Sequence, residues 1–198
     1  HQVRGFKQTH QPSPWINDYG QFSLMPVRGE DKFDEESRAS WFSHQSEVAK
    51  PYYYKTYLAD HDIRVEITPT ERAAMMRFTF PDSKESGVVI DAFDRGSYIR
   101  VMHDKRTVVG YTTRNSGGVP DNFKNWFIVR FDRKIRDFQI YDGTNPVEGE
   151  QLVGEHALVR VGFETRRGEQ VTVRAASSFI SQMQAVQNLE ELGKDDFE

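Results

Sequence analysis

The dominant pattern along the chain is an alternation of apolar and polar residues. In residues 63–67, Ile, Val and Ile alternate with Arg and Glu, as in a strand with one buried face. The same alternation recurs at residues 76–80, 99–101, 127–131, 159–163 and 171–175. Turns rich in Asp, Gly and Pro separate these segments. About a dozen candidate strands at this spacing predict an all-β fold, an antiparallel β-sandwich or barrel.

In one segment near the C-terminus the apolar residues recur at a longer interval, which is typical of a helix. Its apolar positions lie three apart, at Met183, Val186, Leu189 and Leu192. Ser181 and Gln184 match a capping box at the helix start, and Gly193 is a suitable terminator. We therefore divide the chain into a β-sandwich domain at 1–180 and a helix at 181–198. We interpret the helix as a linker toward a further domain, and a helix packed back on its own sheet is the alternative.

Composition excludes several classes of protein. The 198 residues include 30 acidic and 26 basic residues, for a net charge of −4 without the basic excess of a non-specific nucleic-acid binder. The longest uninterrupted apolar runs are about four residues, as at 126–129, against about 20 for a membrane helix. The absence of Cys excludes disulfides, thiolate zinc sites and thiol nucleophiles. Both ends of the chain have the character of cuts in a longer polypeptide, so we expect a piece of a larger protein.

The first candidate site lies in the polar, Pro-containing segment 5–20. It brings His10, Trp15 and Asp18 close together in sequence. Sugar sites use this mixture, because an aromatic ring stacks on the sugar face while polar side chains bind its hydroxyls. The segment is a candidate sugar-binding loop. The alternative is a structured loop whose Trp plugs one end of the sandwich.

A second candidate is the pair His44 and Glu47, three residues apart and followed closely by Pro51. On a helix the two side chains would share a face, although Pro51 leaves room for only one turn. A metal site would need further ligands that the sequence does not place nearby. The pattern favours a hydrogen-bonded His–Glu pair over a metal site.

Two further groups carry polar side chains next to strands. Asp91 and Asp94 follow an apolar run, and two carboxylates there could resemble a glycosidase acid–base pair. The favoured interpretation is that the two aspartates cap the following turn. The long loop at 111–123 contains Arg114 and Asn115, which could contact a ligand or a neighbouring domain. The alternative for this loop is a long hairpin connection.

In their order along the chain, several short motifs resemble the N-terminal domain of glycoside hydrolase family 92, the calcium-dependent bacterial α-mannosidases. The motifs are Gly5-Phe6-x-x-Thr9-His10, Trp15, Asp18-Tyr19-Gly20, Met25-Pro26, Phe42-Ser43-His44-x-x-Glu47, Pro51-x-Tyr53-Tyr54, Arg77-x-Thr79-Phe80-Pro81, Gly110-Tyr111 and Ser177-Ser178-Phe179-Ile180-Ser181. Each motif is short, but the ordered set covers nearly the whole chain.

The resemblance implies a large β-sandwich of the galactose-mutarotase type, joined by a linker helix to an (α/α) barrel. It implies an exported enzyme that hydrolyses α-linked mannose in oligosaccharides or N-glycans with inversion, with calcium held mostly by the barrel. Because the barrel carries the catalytic carboxylates, we assign no catalytic acid or base to this chain.

The same resemblance implies that His10, Trp15, Asp18, His44 and Glu47 contact substrate in a pocket shared with the catalytic domain. Alone, this chain is then inactive as an enzyme. The alternative function is a stand-alone carbohydrate-binding module for mannose-containing glycans. We expect no nucleic-acid partner and no membrane span.

Overall fold

The computed structural model describes residues 1–8, 21–194 and 197. Within these residues the chain forms 17 β-strands, one α-helix and one short 3-10 helix. In chain order the elements are β1 (Gln2–Val3), β2 (Phe6–Lys7), β3 (Ser23–Arg28), β4 (Ser40–Trp41), β5 (Val48–Lys50), β6 (Tyr53–Leu58), β7 (Ile63–Pro69), β8 (Ala73–Phe80), β9 (Ser83–Asp91), β10 (Ser97–Val101), β11 (Thr107–Thr112), β12 (Asn125–Phe131), β13 (Asp137–Asp142), β14 (Asn145–Val147), β15 (Gln151–Gly154), β16 (Ala157–Thr165), β17 (Glu169–Ser178), α1 (Gln182–Leu189) and the 3-10 helix (Glu190–Leu192).

The described strands form two large antiparallel sheets and one small ribbon. One sheet has nine strands in the order β15-β10-β11-β12-β17-β8-β7-β6-β5, and the other has six in the order β14-β13-β16-β9-β3-β2. Strands β1 and β4 pair separately. The main apolar core draws residues from both large sheets, including Val89 of the smaller sheet and Phe78 of the larger one. The predicted antiparallel β-sandwich is confirmed.

The alternating pattern produces the predicted strand orientation. In β8, Met76, Phe78 and Phe80 are buried in the core, while Arg77 and Thr79 between them are only partly buried. Successive side chains of a strand point to opposite faces, so this alternation directs the apolar set into the sandwich. The apolar pattern therefore determines which face of the nine-stranded sheet meets the smaller sheet.

The helix α1 packs on the opposite, outer face of the nine-stranded sheet. Ser181 Oγ accepts a hydrogen bond from the Gln184 backbone N–H at 3.1 Å, which confirms the predicted N-cap. Ala185, Leu189 and Leu192 form a second apolar cluster with side chains of the sheet. The sheet contributes Ala73, Met75, Ile128 and Ala176.

Two polar side chains also bind α1 to the sheet. Asn188 Nδ2 donates to the Ser177 carbonyl at 2.8 Å, and Gln182 Nε2 donates to the Phe127 carbonyl at 3.0 Å. The helix thus packs back on its own sheet, as the alternative interpretation had it. Its role as a linker to another domain stays a prediction.

None of the helices in the described part of the chain combines the length and apolar character needed to cross a bilayer.

The packing of α1 predicts a clear contrast between two substitutions in the same helix. Leu189→Ala removes a buried side chain and should lower the free energy of unfolding by about 2–5 kcal/mol. Met183→Ala changes a side chain that is 73% exposed, so its effect should stay within about 0.5 kcal/mol. Urea unfolding of both variants measures the difference. Equal effects would show that α1 is not packed on the sheet in solution.

Candidate functional site

The candidate site is built around a strained turn, residues 93–96, between β9 and β10. Phe93 and Arg95 have φ values of 59° and 74°, in the left-handed region, and Gly96 has a φ of 96°. For an L-residue other than glycine, this conformation costs about 1–2 kcal/mol. Such strain persists only where surrounding contacts hold it, and it is common at binding sites.

Hydrogen bonds from neighbouring strands hold the turn in this conformation. Asp91 Oδ1 accepts from the Phe93 N–H at 2.8 Å, and Ser97 Oγ donates to the Phe93 carbonyl at 2.7 Å. Thr113 Oγ1 lies 2.7 Å from the Arg95 carbonyl and 2.6 Å from that of Gly96. Backbone groups on both sides of each strained residue are therefore fixed by the fold.

A buried group of charges lies beneath the turn. Asp91 is fully buried, with Arg38 Nη1 at 2.8 Å and His156 Nε2 at 2.7 Å from its two carboxylate oxygens. Arg38 is also buried, and it donates to the backbone carbonyls of Arg4 and Phe33. One carboxylate therefore joins the loop before β4, the end of β9 and the start of β16.

The pKa values of this group shift in opposite directions. Burial on its own would raise the pKa of Asp91, but the hydrogen bond to His156 and the charge of Arg38 hold this pKa below its ordinary value. The same hydrogen bond to Asp91 raises the pKa of His156 against the effect of partial burial. Both shifts favour the ionised pair.

A cavity of about 470 Å³ opens next to the turn. Its described lining is Lys7, Gln21, Arg95, Arg114, Asn115 and Ser116. The Phe93 ring forms part of its support, since Lys7 Nζ and the Arg114 guanidinium carbon lie 4.6 Å and 4.9 Å from the ring centroid. Both distances are within the range of a cation–π interaction.

The turn and the loop between β11 and β12 contact each other at this cavity. Arg95 Nη1 donates to the Asn115 carbonyl at 2.7 Å, and Arg114 Nε lies 3.4 Å from a carboxylate oxygen of Asp94. The loop expected to contact a ligand or another domain therefore lines the cavity through Arg114 and Asn115. Its contact with a ligand or a neighbouring domain stays a prediction, and a long hairpin connection remains the alternative.

Three of the predicted substrate-contacting residues, His10, Trp15 and Asp18, lie outside the described residues. The described residues Lys7 and Gln21, on either side of that segment in sequence, both line the cavity. The predicted contacts of the three side chains with substrate stay predictions.

The other two, His44 and Glu47, form the expected hydrogen-bonded pair at 2.6 Å. Tyr54 OH also donates to Glu47, and burial together with this bond raises the pKa of Tyr54 to about 12. Neither residue belongs to the described lining of the cavity, although the Tyr54 ring contacts Phe6, the neighbour of Lys7. Their predicted contact with substrate stays a prediction.

The structure gives Asp91 a different role from that of a catalytic acid. It caps the turn, as expected, but it is also fully buried against Arg38 and His156. Those two partners lie 53 and 65 positions away along the chain, and no sequence motif points to either. The sequence interpretation also missed Arg95, because nothing in its local pattern indicates a left-handed backbone.

The described residues do not fit a calcium site. Across 1–8, 21–194 and 197 no group of three or more His, Asp or Glu side chains is arranged to hold a metal. The cavity itself presents cations, which repel Ca²⁺, whereas calcium sites are built from oxygen ligands. No step of a mechanism is therefore assigned to calcium in this chain.

Comparison with known proteins identifies the family. The model of the glycosyl hydrolase family 92 N-terminal domain matches residues 1–178. The chain therefore belongs to glycosyl hydrolase family 92 and corresponds to its N-terminal domain. No curated protein matches the chain.

Solved structures of the same family have the same fold. A family 92 inverting mannosidase from Bacteroides thetaiotaomicron VPI-5482 is 40% identical, with a TM-score of 0.91, over 98% of this chain and 26% of its own. A family 92 α-mannosidase from Bacteroides thetaiotaomicron, in complex with mannoimidazole, is 26% identical, with a TM-score of 0.81, over 96% of this chain and 29% of its own. The chain thus spans between a quarter and a third of these relatives.

The buried carboxylate predicts a large loss of stability when its charge is removed. Asp91→Asn removes the buried carboxylate partner of Arg38, whose other carboxylate neighbour, Glu35, lies 4.0 Å away and is half exposed, and should lower the free energy of unfolding by about 3–5 kcal/mol. Asp137→Asn is the control, because Asp137 forms a surface ion pair with Arg136 and should change stability by at most about 1 kcal/mol. Urea unfolding compares them. If Asp91→Asn lowers the free energy of unfolding no more than Asp137→Asn does, the buried Arg38–Asp91 ion pair does not have the stabilising role described.

The raised pKa of His156 predicts a pH dependence of stability. Because this pKa is higher in the folded than in the unfolded chain, the stabilisation is fully present below about pH 6.5, the ordinary pKa of histidine, and is lost as pH rises through the raised value. The stability difference between the unmodified chain and His156→Gln should therefore shrink with rising pH. Asp91 stays ionised throughout, since its pKa is lowered.

His61 is the matched control for this measurement. Burial lowers its pKa, so the difference between the unmodified chain and His61→Gln should grow as pH rises from the lowered value to about 6.5 and stay constant above it. Denaturant unfolding at a series of pH values gives both slopes. Slopes of the same sign would refute the assignment of His156 to an ion pair.

Proposed function

We propose that this chain is the N-terminal sandwich of an exported α-mannosidase that hydrolyses α-linked mannose in glycans with inversion. The observation that carries the proposal is the family match over residues 1–178, together with the similarity to an inverting mannosidase at 40% identity. In this proposal the chain supplies walls and substrate contacts of the active-site pocket. The catalytic carboxylates and the calcium site belong to a separate catalytic domain of the same protein.

In this proposal, the end of the sandwich that carries the cavity faces the substrate. It is the place where the strained turn and the 114–116 loop meet, and Lys7 and Gln21 line it as well. Those two residues precede and follow the segment that contains the proposed sugar contacts His10, Trp15 and Asp18. Binding residues are commonly placed on loops held by a rigid scaffold, which is the arrangement at this end.

The direct test compares this chain with a longer protein that contains it together with the catalytic domain. We expect the longer protein to hydrolyse α-mannobiose in the presence of calcium, with β-mannose as the first-formed product by NMR, and the 198-residue chain to release no mannose. Mannose release by the chain alone would overturn the division of roles. Binding of mannose oligosaccharides by the chain without any hydrolysis by the longer protein would favour the carbohydrate-binding module instead.

The proposed sugar contacts predict a selective kinetic effect. In the longer protein, Trp15→Ala should lower kcat/KM on α-mannobiose by about tenfold or more, because a stacking surface for the sugar is lost. Trp41→Ala is the control, since Trp41 is 54% exposed on β4 and lies outside the described lining of the cavity. Initial rates and melting temperatures of both variants are compared. Equal kcat/KM values in the two variants would remove Trp15 from the substrate site.

A further inference from the structure

A row of aromatic side chains crosses the outer face of the nine-stranded sheet. Tyr98 of β10 lies opposite Tyr111 of β11, which in turn lies opposite Trp126 of β12. The ring centroids are 5.5 Å and 4.9 Å apart along the row. Ile99 and Phe127, the next residues in β10 and β12, belong to the core, so the row points away from the core. All three aromatic residues are only partly buried.

A groove of about 580 Å³ lies on this face, between strands β10–β12 and α1. Its apolar lining consists of Tyr98, Met102, Val109, Trp126, Ile128 and Val186. Tyr111 is outside the described lining, and Lys124 Nζ lies 4.4 Å from the Tyr111 ring centroid. The groove shares no described lining residue with the cavity at the strained turn, and its volume is in the ordinary range of small-molecule sites, about 300–1,000 Å³.

Polar groups at the groove have bonding capacity that the fold does not use. Arg100 and Arg130 line it, and within the described part of the chain neither guanidinium donates a hydrogen bond or forms an ion pair. Gln182 also lines it, and Gln182 Oε1 is buried without a donor from any described residue. A buried acceptor that stays unpaired is unfavourable. A bound molecule with hydroxyl groups would supply a donor to Gln182 and acceptors to both guanidinium groups.

A glycan fits both parts of this lining. The C–H face of a pyranose packs on an aromatic ring, while the hydroxyls at its edge both donate and accept hydrogen bonds. A purely apolar molecule would leave the two arginines and Gln182 unpaired. A small anion would not use the rings, and it would be repelled by Asp104, which also lines the groove.

We propose that this groove is a secondary glycan-binding site, which holds part of a long substrate away from the active site. That the glycan contains mannose rests on the proposed function, while the groove rests on its rings, its guanidinium groups and the unpaired amide. Binding at two places raises the effective concentration of a long glycan at the enzyme, and a short substrate gains nothing from it.

Adsorption of the longer protein to insoluble α-mannan tests the aromatic part of the site. Tyr98→Ala should weaken adsorption by about fivefold or more, because a stacking surface is lost, and Tyr98→Phe, which keeps the ring, should retain it. Tyr52→Ala is the matched control, because Tyr52 is 64% exposed and outside the described lining. Melting temperatures verify that each variant folds. Adsorption of Tyr98→Ala equal to that of Tyr52→Ala would overturn the proposal.

An arginine variant tests the polar part of the site. Arg130→Gln should weaken adsorption by about fivefold, and since Arg130 is exposed, this variant keeps the test available if Tyr98→Ala does not fold. Arg28→Gln is its control, because Arg28 is exposed at the end of β3 and outside the described lining. Unchanged adsorption of Arg130→Gln would also overturn the proposal, because the guanidinium groups would then take no part.

Kinetics separate a secondary site from an indirect effect on the active site. In Tyr98→Ala and Arg130→Gln, KM on soluble α-mannan should rise about fivefold, while kcat/KM on α-mannobiose stays unchanged. Equal losses on the two substrates would show that the groove acts through the active site, and the proposal would fail.

The 198-residue chain distinguishes a glycan from the catalytic domain as the occupant of the groove. We expect Tyr98→Ala to weaken mannan adsorption in this chain and in the longer protein alike. An effect confined to the 198-residue chain would mean that the catalytic domain covers the groove, and it would overturn the proposal.

The two proposals fail separately. Hydrolysis of α-mannobiose by the longer protein tests the proposed function and does not require the groove. Hydrolysis with adsorption that is insensitive to Tyr98 and Arg130 would remove the secondary site alone. Adsorption that depends on these residues, without hydrolysis, would retain the glycan site and remove the mannosidase.

Discussion

The buried contact between Arg38, Asp91 and His156 is the interaction on which the candidate site depends. One carboxylate, with no exposed surface, binds a guanidinium from a loop, the imidazole of the residue just before β16 and the backbone amide of Phe93. In a medium of low polarity such charges are costly unless all are paired, so the three segments are held in one arrangement. Asp91 also fixes one end of the strained turn through the Phe93 N–H, while Ser97 and Thr113 hold the rest of it. The three buried side chains therefore link the core of the sandwich to the cavity at its surface.

The sandwich and the site differ in how far the sequence predicts them. The alternation at Met76, Phe78 and Phe80 determines which face of β8 is buried, and Ser181 with Gln184 predicts the start of α1. These features depend on neighbours within a few residues of each other. The order of strands in the two sheets, by contrast, depends on pairings between distant segments and has no local signature.

In the candidate site, too, local contacts can be predicted from the sequence and contacts between distant segments cannot. The sequence places Asp91 after an apolar run and predicts that it caps a turn, but it does not predict the burial of Asp91 with Arg38 and His156. Those partners come from different elements, and a lone Arg in a polar loop has the same local pattern whether it is solvated or buried. The pairing of His44 with Glu47, three residues apart, could be predicted because it is local. The residue types of segment 5–20 and the family resemblance both predict a sugar site, whereas the cation-lined cavity depends on contacts across the sandwich.

The left-handed backbone at Arg95 also has an evolutionary consequence. A glycine or asparagine would occupy this conformation with less strain, so selection for thermal resistance alone would favour replacing the arginine. Selection for a ligand that needs the cation would oppose that change. Relatives in which this position has become glycine would then have lost the guanidinium beside the cavity while keeping a fold of equal or greater stability. The residue at this position would then vary with the chemistry of the cavity rather than with the requirements of the fold.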